Sequence, residues 1–205
     1  MNFFDLRKIG NSALFHFSFF LFPFLVAGCF NEPEPAYKSV PAENRVYLSD
    51  KGLKALPQVN AKADYLNLDR NQLEKADGVE KLAELKWLRL NDNRLSALPD
   101  LKGLVRLRRI YLKNNRFTAV PEALKDLPSL TDIDLSGNPV KEIPAWLAEK
   151  KGLKNLSFSR TQLTKLPANL EAWKSLQSLQ LGDLNISAEE MARIRSALPN
   201  VAIVF

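Results

Sequence analysis

The chain has 205 residues, 46% of them hydrophobic and 25% charged, a globular composition long enough for one domain with a sizeable core. Lysine and arginine number 29 against 23 aspartates and glutamates, a net charge of +6 that favours acidic partners without requiring nucleic acid. The one cysteine, Cys29, and the one histidine, His16, both fall near the start. No internal disulfide can form, and a domain folded from the remainder has neither thiol nor imidazole for catalysis or soft-metal binding.

The chain begins "MNFFDLRKIGNSALFHFSFFLFPFLVAGC". Arg7 and Lys8 lead into a mostly apolar run from Ala13 to Ala27 that ends in small residues, the three-part layout of a secretory signal over residues 1–28. His16 and Pro23 interrupt the run, which is shorter than the roughly 20 apolar residues of a membrane span; an uncleaved anchor helix is the alternative. Val26-Ala27-Gly28-Cys29 resembles a bacterial lipobox. That resemblance implies acylation of Cys29, and more than one acyl chain is what makes membrane anchoring stable. Cleavage would remove Asp5, Arg7 and Lys8 and lower the net charge from +6 to +5. Phe30, where Asp would be an inner-membrane signal, leans within the same analogy towards the outer membrane. Residues 29–42 follow as a tether, extended and semi-rigid because of Pro33, Pro35 and Pro41.

From residue 43 to 205 the chain repeats. The segment "LKWLRLNDNRLSALPDLKGL" beginning at Leu85 fits neither a strand nor a helix period. Its spacing returns at Leu107, Leu130, Leu153 and Leu176, in steps of 22, 23, 23 and 23. Backwards, Ala63 with Leu66, Leu68, Asn71 and Leu73 lies 22 residues earlier, and Glu43 with Val46, Leu48, Leu53 and Leu56 a further 20. Forwards, Leu198 with Val201 and Ile203 begins a truncated copy after about seven full ones. In each LxL the two apolar side chains point one way and the residues flanking them the other. The pattern LxxLxLxxNxLxxLPxxL is similar to the leucine-rich repeat family, and the resemblance covers almost all of residues 43–205.

The resemblance implies an α/β solenoid: a curved right-handed stack, with a parallel β-sheet on the concave face and short helical or 3₁₀ segments and loops on the convex one. It implies an asparagine ladder at Asn71, Asn93, Asn115 and Asn138, departing from pattern at Lys51, Thr161 and Leu184. The pairs Leu56-Pro57, Leu98-Pro99, Val120-Pro121, Ile143-Pro144 and Leu166-Pro167 predict short helical pieces after each proline. Ser187 with Glu190 three residues on predicts a capping box opening a helix over "SAEEMARIRSAL", and "VAIVF" predicts a last parallel strand.

Because the leucines fix the fold, function is sought at the outward strand positions. There Tyr65, Trp87 and Arg109 form one row, and Arg89 and Tyr111 meet in the next. Aromatic residues and arginine are the types that dominate binding hot spots; the alternative is cross-strand stacking alone. Asp132 and Asp134 change the sign of the surface beyond Tyr111. They lack the further oxygen ligands a hard metal needs, so pairing with neighbours such as Arg109 is expected there. Trp146 and Trp173 are expected to pack between coils.

The basic cluster "RLRRI", Arg106 to Ile110, straddles a coil, so no nucleic-acid partner is expected. No enzyme activity, cofactor or metal is expected either. The functional expectation is an exported, lipid-anchored envelope protein, a monomer that binds a protein through the concave sheet. The alternative is a structural lipoprotein holding polyanionic glycans or lipid head groups by its basic face.

Overall fold

The computed structural model describes residues 41–205. The expected signal sequence, Cys29 and the expected tether up to residue 40 lie outside the described residues. Eight strands of three residues each form one sheet in chain order, every neighbouring pair parallel. They are β1 Arg45–Tyr47, β2 Tyr65–Asn67, β3 Trp87–Arg89, β4 Arg109–Tyr111, β5 Asp132–Asp134, β6 Asn155–Ser157, β7 Ser178–Gln180 and β8 Ala202–Val204. The inward leucines bring each coil against the next: Leu66, Leu68, Leu88, Leu90, Leu156 and Leu179 lose all solvent contact in one continuous core. No coil could bury this surface alone, and stacking is what stabilises it.

The outer limbs are less regular than the prolines predict. A 3₁₀ turn Glu122–Leu124 and helix α1, Ala145–Glu149, do follow Pro121 and Pro144, each of which occupies the N-cap rather than the first helical position. Pro57 and Pro99 are followed by no helix. Beyond Pro99 the limb closes by successive single turns, Leu104 N–H to the Leu101 carbonyl at 2.8 Å and Leu107 N–H to that of Leu104 at 2.9 Å. Two further 3₁₀ segments, Val79–Lys81 and Glu171–Ser175, begin without an adjacent proline, and another, Ala42–Asn44, leads into β1.

Trp173 is fully buried in the core, its indole N–H donating across coils to the Leu147 carbonyl at 3.0 Å. Trp146 packs against the same core and donates to Glu122 at 2.8 Å. Both are inter-coil packing residues, as expected.

The last helix, α2 (Ala188–Ala197), closes the far end of the stack through Ile194 and is followed by the buried Leu198. Only half of the predicted capping box forms. Ser187 Oγ accepts from Glu190 N–H at 3.2 Å, but the Glu190 carboxylate turns away from the cap. It accepts from Leu166 N–H at 2.8 Å and from Arg193 at 2.7 Å, and so pins α2 to the preceding coil.

The final strand also departs from the repeat. The spacing would set Val201 and Ile203 beside Leu179 and Leu181, whereas Ile203 pairs with Leu179. A shift of two residues preserves the inward and outward alternation, so the longer connection through α2 is absorbed while Val201 and Ile203 stay against the core.

Candidate functional site

The asparagines form the predicted ladder. Asn93 Nδ2 donates to the carbonyls of Leu90 and Asn91 in its own coil and of Leu68 in the one before, at 3.0 to 3.2 Å, while its Oδ1 accepts from Leu73 N–H at 3.1 Å. Asn71, Asn115 and Asn138 repeat this arrangement, each buried. Each thereby satisfies carbonyls and amides that the turn would otherwise bury unpaired. At the next position the hydroxyl of Thr161 donates only within its own coil, to Phe158 O at 2.8 Å. The residue before each ladder position is left-handed in every coil, at φ between 53° and 70° from Asp50, Arg70, Asp92 and Asn114 through Gly137 to Arg160 and Asp183. Gly137 has a steric reason as well, because a Cβ there would meet Asn114 Oδ1 at 2.2 Å.

On the sheet face turned from the core, register pairs Arg45, Tyr65, Trp87, Arg109 and Asp132 in one row, and Tyr47, Asn67, Arg89, Tyr111 and Asp134 in the next. The five predicted aromatic and arginine residues are brought together. Tyr65 meets Trp87 edge to face at 6.0 Å, the Arg109 guanidinium lies 5.3 Å from the Trp87 ring centre, and that of Arg89 lies 5.4 Å from the centre of Tyr111.

This row is not an open aromatic surface. Tyr65, Trp87 and Tyr111 keep 3%, 8% and 5% of their exposure. The arginine side chains keep about a quarter, 26% for Arg89 and 23% for Arg109. The exposed ring is Tyr47, at 51%, whose centre lies 5.3 Å from that of Tyr65. Tyr47 follows the same outward rule in β1, where its direct neighbour across the sheet is Asn67, not an aromatic, so the outward pattern alone does not group it with the patch.

Asp132 and Asp134 are buried rather than forming an acidic surface. Asp132 accepts from Asn155 Nδ2 at 2.5 Å and from the Thr131 hydroxyl, with Arg109 Nε at 3.9 Å, so the expected pairing with Arg109 is present though long. Asp134 accepts from Ser136 N–H at 2.9 Å, and burial pushes its carboxyl above the usual carboxylate range despite that bond. A third carboxylate, Asp69, was not visible as a site in the sequence. It accepts from Arg89 Nε at 2.7 Å and from Asn91 N–H at 2.8 Å, fixing the guanidinium beside Tyr111. Among the described residues no group of three His, Cys, Asp or Glu could hold a metal ion, and no helix is long and apolar enough to cross a membrane.

Comparison with known proteins agrees with this architecture. Residues 83–140 match the leucine rich repeat family model. A solved leucine-rich repeat protein of Leptospira interrogans superimposes with a TM-score of 0.58 at 26% identity, over 75% of this chain and 46% of that one. This chain therefore spans less than half the length of that relative. No curated protein matches the sequence. Leucine-rich repeats are typically non-enzymatic scaffolds for protein interaction, with extended concave surfaces suited to that use. On its coil spacing, asparagine ladder and eight-stranded parallel sheet, the chain is a leucine-rich repeat protein.

Proposed function

We propose that the protein is a bacterial envelope lipoprotein, tethered through lipid on Cys29, whose repeat sheet captures a protein partner without chemical transformation of it. The observation that carries the binding part is the aromatic and arginine row running unbroken across β1 to β4. Tyr65, Trp87 and Tyr111 serve in it as a rigid backing. Tyr47, Arg89 and Arg109 are the side chains a partner meets, since rings and guanidiniums held in place lose little entropy on binding. The anchoring part rests on the apolar run and lipobox of the sequence, and the phenylalanine after Cys29 favours the outer membrane.

The test is capture by the full chain on intact cells, followed by identification of what is retained. Tyr47→Ala combined with Arg109→Ala should lower retention at least tenfold while thermal unfolding moves little. Equal retention removes the sheet as the site. Cys29→Ser should move the protein from the membrane fraction to the soluble one; unchanged fractionation removes the anchor.

A further inference from the structure

Each of β1 to β7 is preceded by one residue at the sheet margin, and backbone bonds join these residues coil to coil. Lys86 N–H donates to the Asp64 carbonyl at 2.8 Å, Arg108 to Lys86 at 2.8 Å, Thr131 to Arg108 at 2.8 Å and Lys154 to Thr131 at 2.7 Å. The side chains along this line are thus about one coil, or 4.8 Å, apart. Lys86 spends its ammonium on Asp64 at 3.3 Å. Arg108 and Lys154 are exposed and make no side-chain hydrogen bond or ion pair among the described residues.

The carboxylates of the adjoining sheet, Asp69, Asp132 and Asp134, are all buried and engaged with internal donors. Positive charge is consequently accessible along the margin while the negative charge beside it is withdrawn, a separation that favours an anionic ligand. The positive line is also interrupted. Thr131 lies between Arg108 and Lys154, and half-buried uncharged Asn155, Ser178 and Gln180 face the sheet beyond it. An evenly charged polyanion would leave those polar groups unmatched, whereas a polypeptide alternating carboxylates with polar groups would satisfy both.

We propose that the partner of the sheet is an acidic polypeptide segment lying across the strand starts, its carboxylates on Arg108 and Lys154. This identification rests on the protein-binding reading above and specifies the chemistry of that partner. The probe is a fluorescent peptide alternating Glu and Ser, titrated into the full chain by anisotropy. The controls are the same peptide with Gln for Glu, heparin, and vesicles of anionic phospholipid.

The Glu peptide should bind at least tenfold more tightly than the Gln peptide. Binding should fall at least tenfold in the combined R108E and K154E variant, whose thermal unfolding should match the wild type because neither side chain has a partner to lose. No binding of the Glu peptide, or binding within twofold in that variant, overturns the proposal. So does tighter binding of heparin or vesicles, which would assign the margin to a polyanion. If R108E with K154E keeps cellular capture while the Tyr47 and Arg109 variant loses it, the acidic segment is wrong and the sheet reading stands. The reverse result removes the sheet reading and leaves the acidic chemistry in place.

Discussion

The two halves of the sheet share one core and differ in what they carry on the opposite face. Across β1 to β4 the outward residues are large, Tyr47, Tyr65, Trp87, Arg89, Arg109 and Tyr111, tied by ring and guanidinium contacts. Across β5 to β7 they are small or polar, Asp132, Asn155, Ser157, Ser178 and Gln180, joined by hydrogen bonds such as that between the hydroxyls of Ser136 and Ser157. Leu88 and Leu156 beneath them are equally buried. The scaffold therefore accepts either kind of surface over the same core.

Substitutions can break or sharpen this contrast. If the core is uniform, Leu88→Ala and Leu156→Ala should each destabilise by about 2 to 5 kcal/mol in chemical denaturation, the range for emptying a fully buried leucine site. A large disparity would show that one half carries the fold. Asn93→Ala should cost about 3 kcal/mol, because several buried backbone groups lose their partner together. At the broken rung, Thr161→Ala should cost only about 1 kcal/mol, one hydrogen bond within one coil.

On the outward face, Trp87→Ala should destabilise by about 1 to 3 kcal/mol, through loss of an aromatic edge contact, a cation–π contact and buried area. Ser178→Ala, the small-residue counterpart in the same row, should stay within about 0.5 kcal/mol.

The smallest effect concerns pH. Asp134 holds its proton more tightly folded than unfolded, so its contribution is fully present below the ordinary carboxylate value and declines as pH rises towards the raised folded value. Asp134→Asn should flatten that decline and leave stability at neutral pH equal or slightly higher. An unchanged slope of unfolding free energy against pH would show that the carboxylate is not desolvated as the geometry implies. Glu190 has the opposite sign. Its bond to Arg193 holds the carboxyl below its usual range, so what it contributes is present above that range and lost as acid protonates it.

Much of this fold was legible because its signals are local and repeated. The leucine spacing located the strands, and the asparagine at a fixed offset located the ladder, since both depend only on side-chain direction within one coil. The last coil resisted such reading. The Glu190 carboxylate had the sequence of a capping box but found better donors in Leu166 N–H and Arg193, and the connection through α2 moved β8 by two residues. The candidate site was legible in membership and misleading in exposure. Tyr65, Trp87 and Tyr111 point outward as alternation demands, yet they are covered, and Tyr47 is the ring that meets solvent.

By itself the amino-acid order determined which side chains face inward, that the coils stack in parallel, and which amides bridge them, because period and offset are properties of the chain. Tertiary structure alone decided which outward groups remain accessible, which carboxylates are drawn in among donors, and where unpaired cations collect, because accessibility and pairing depend on neighbours roughly twenty or more residues away.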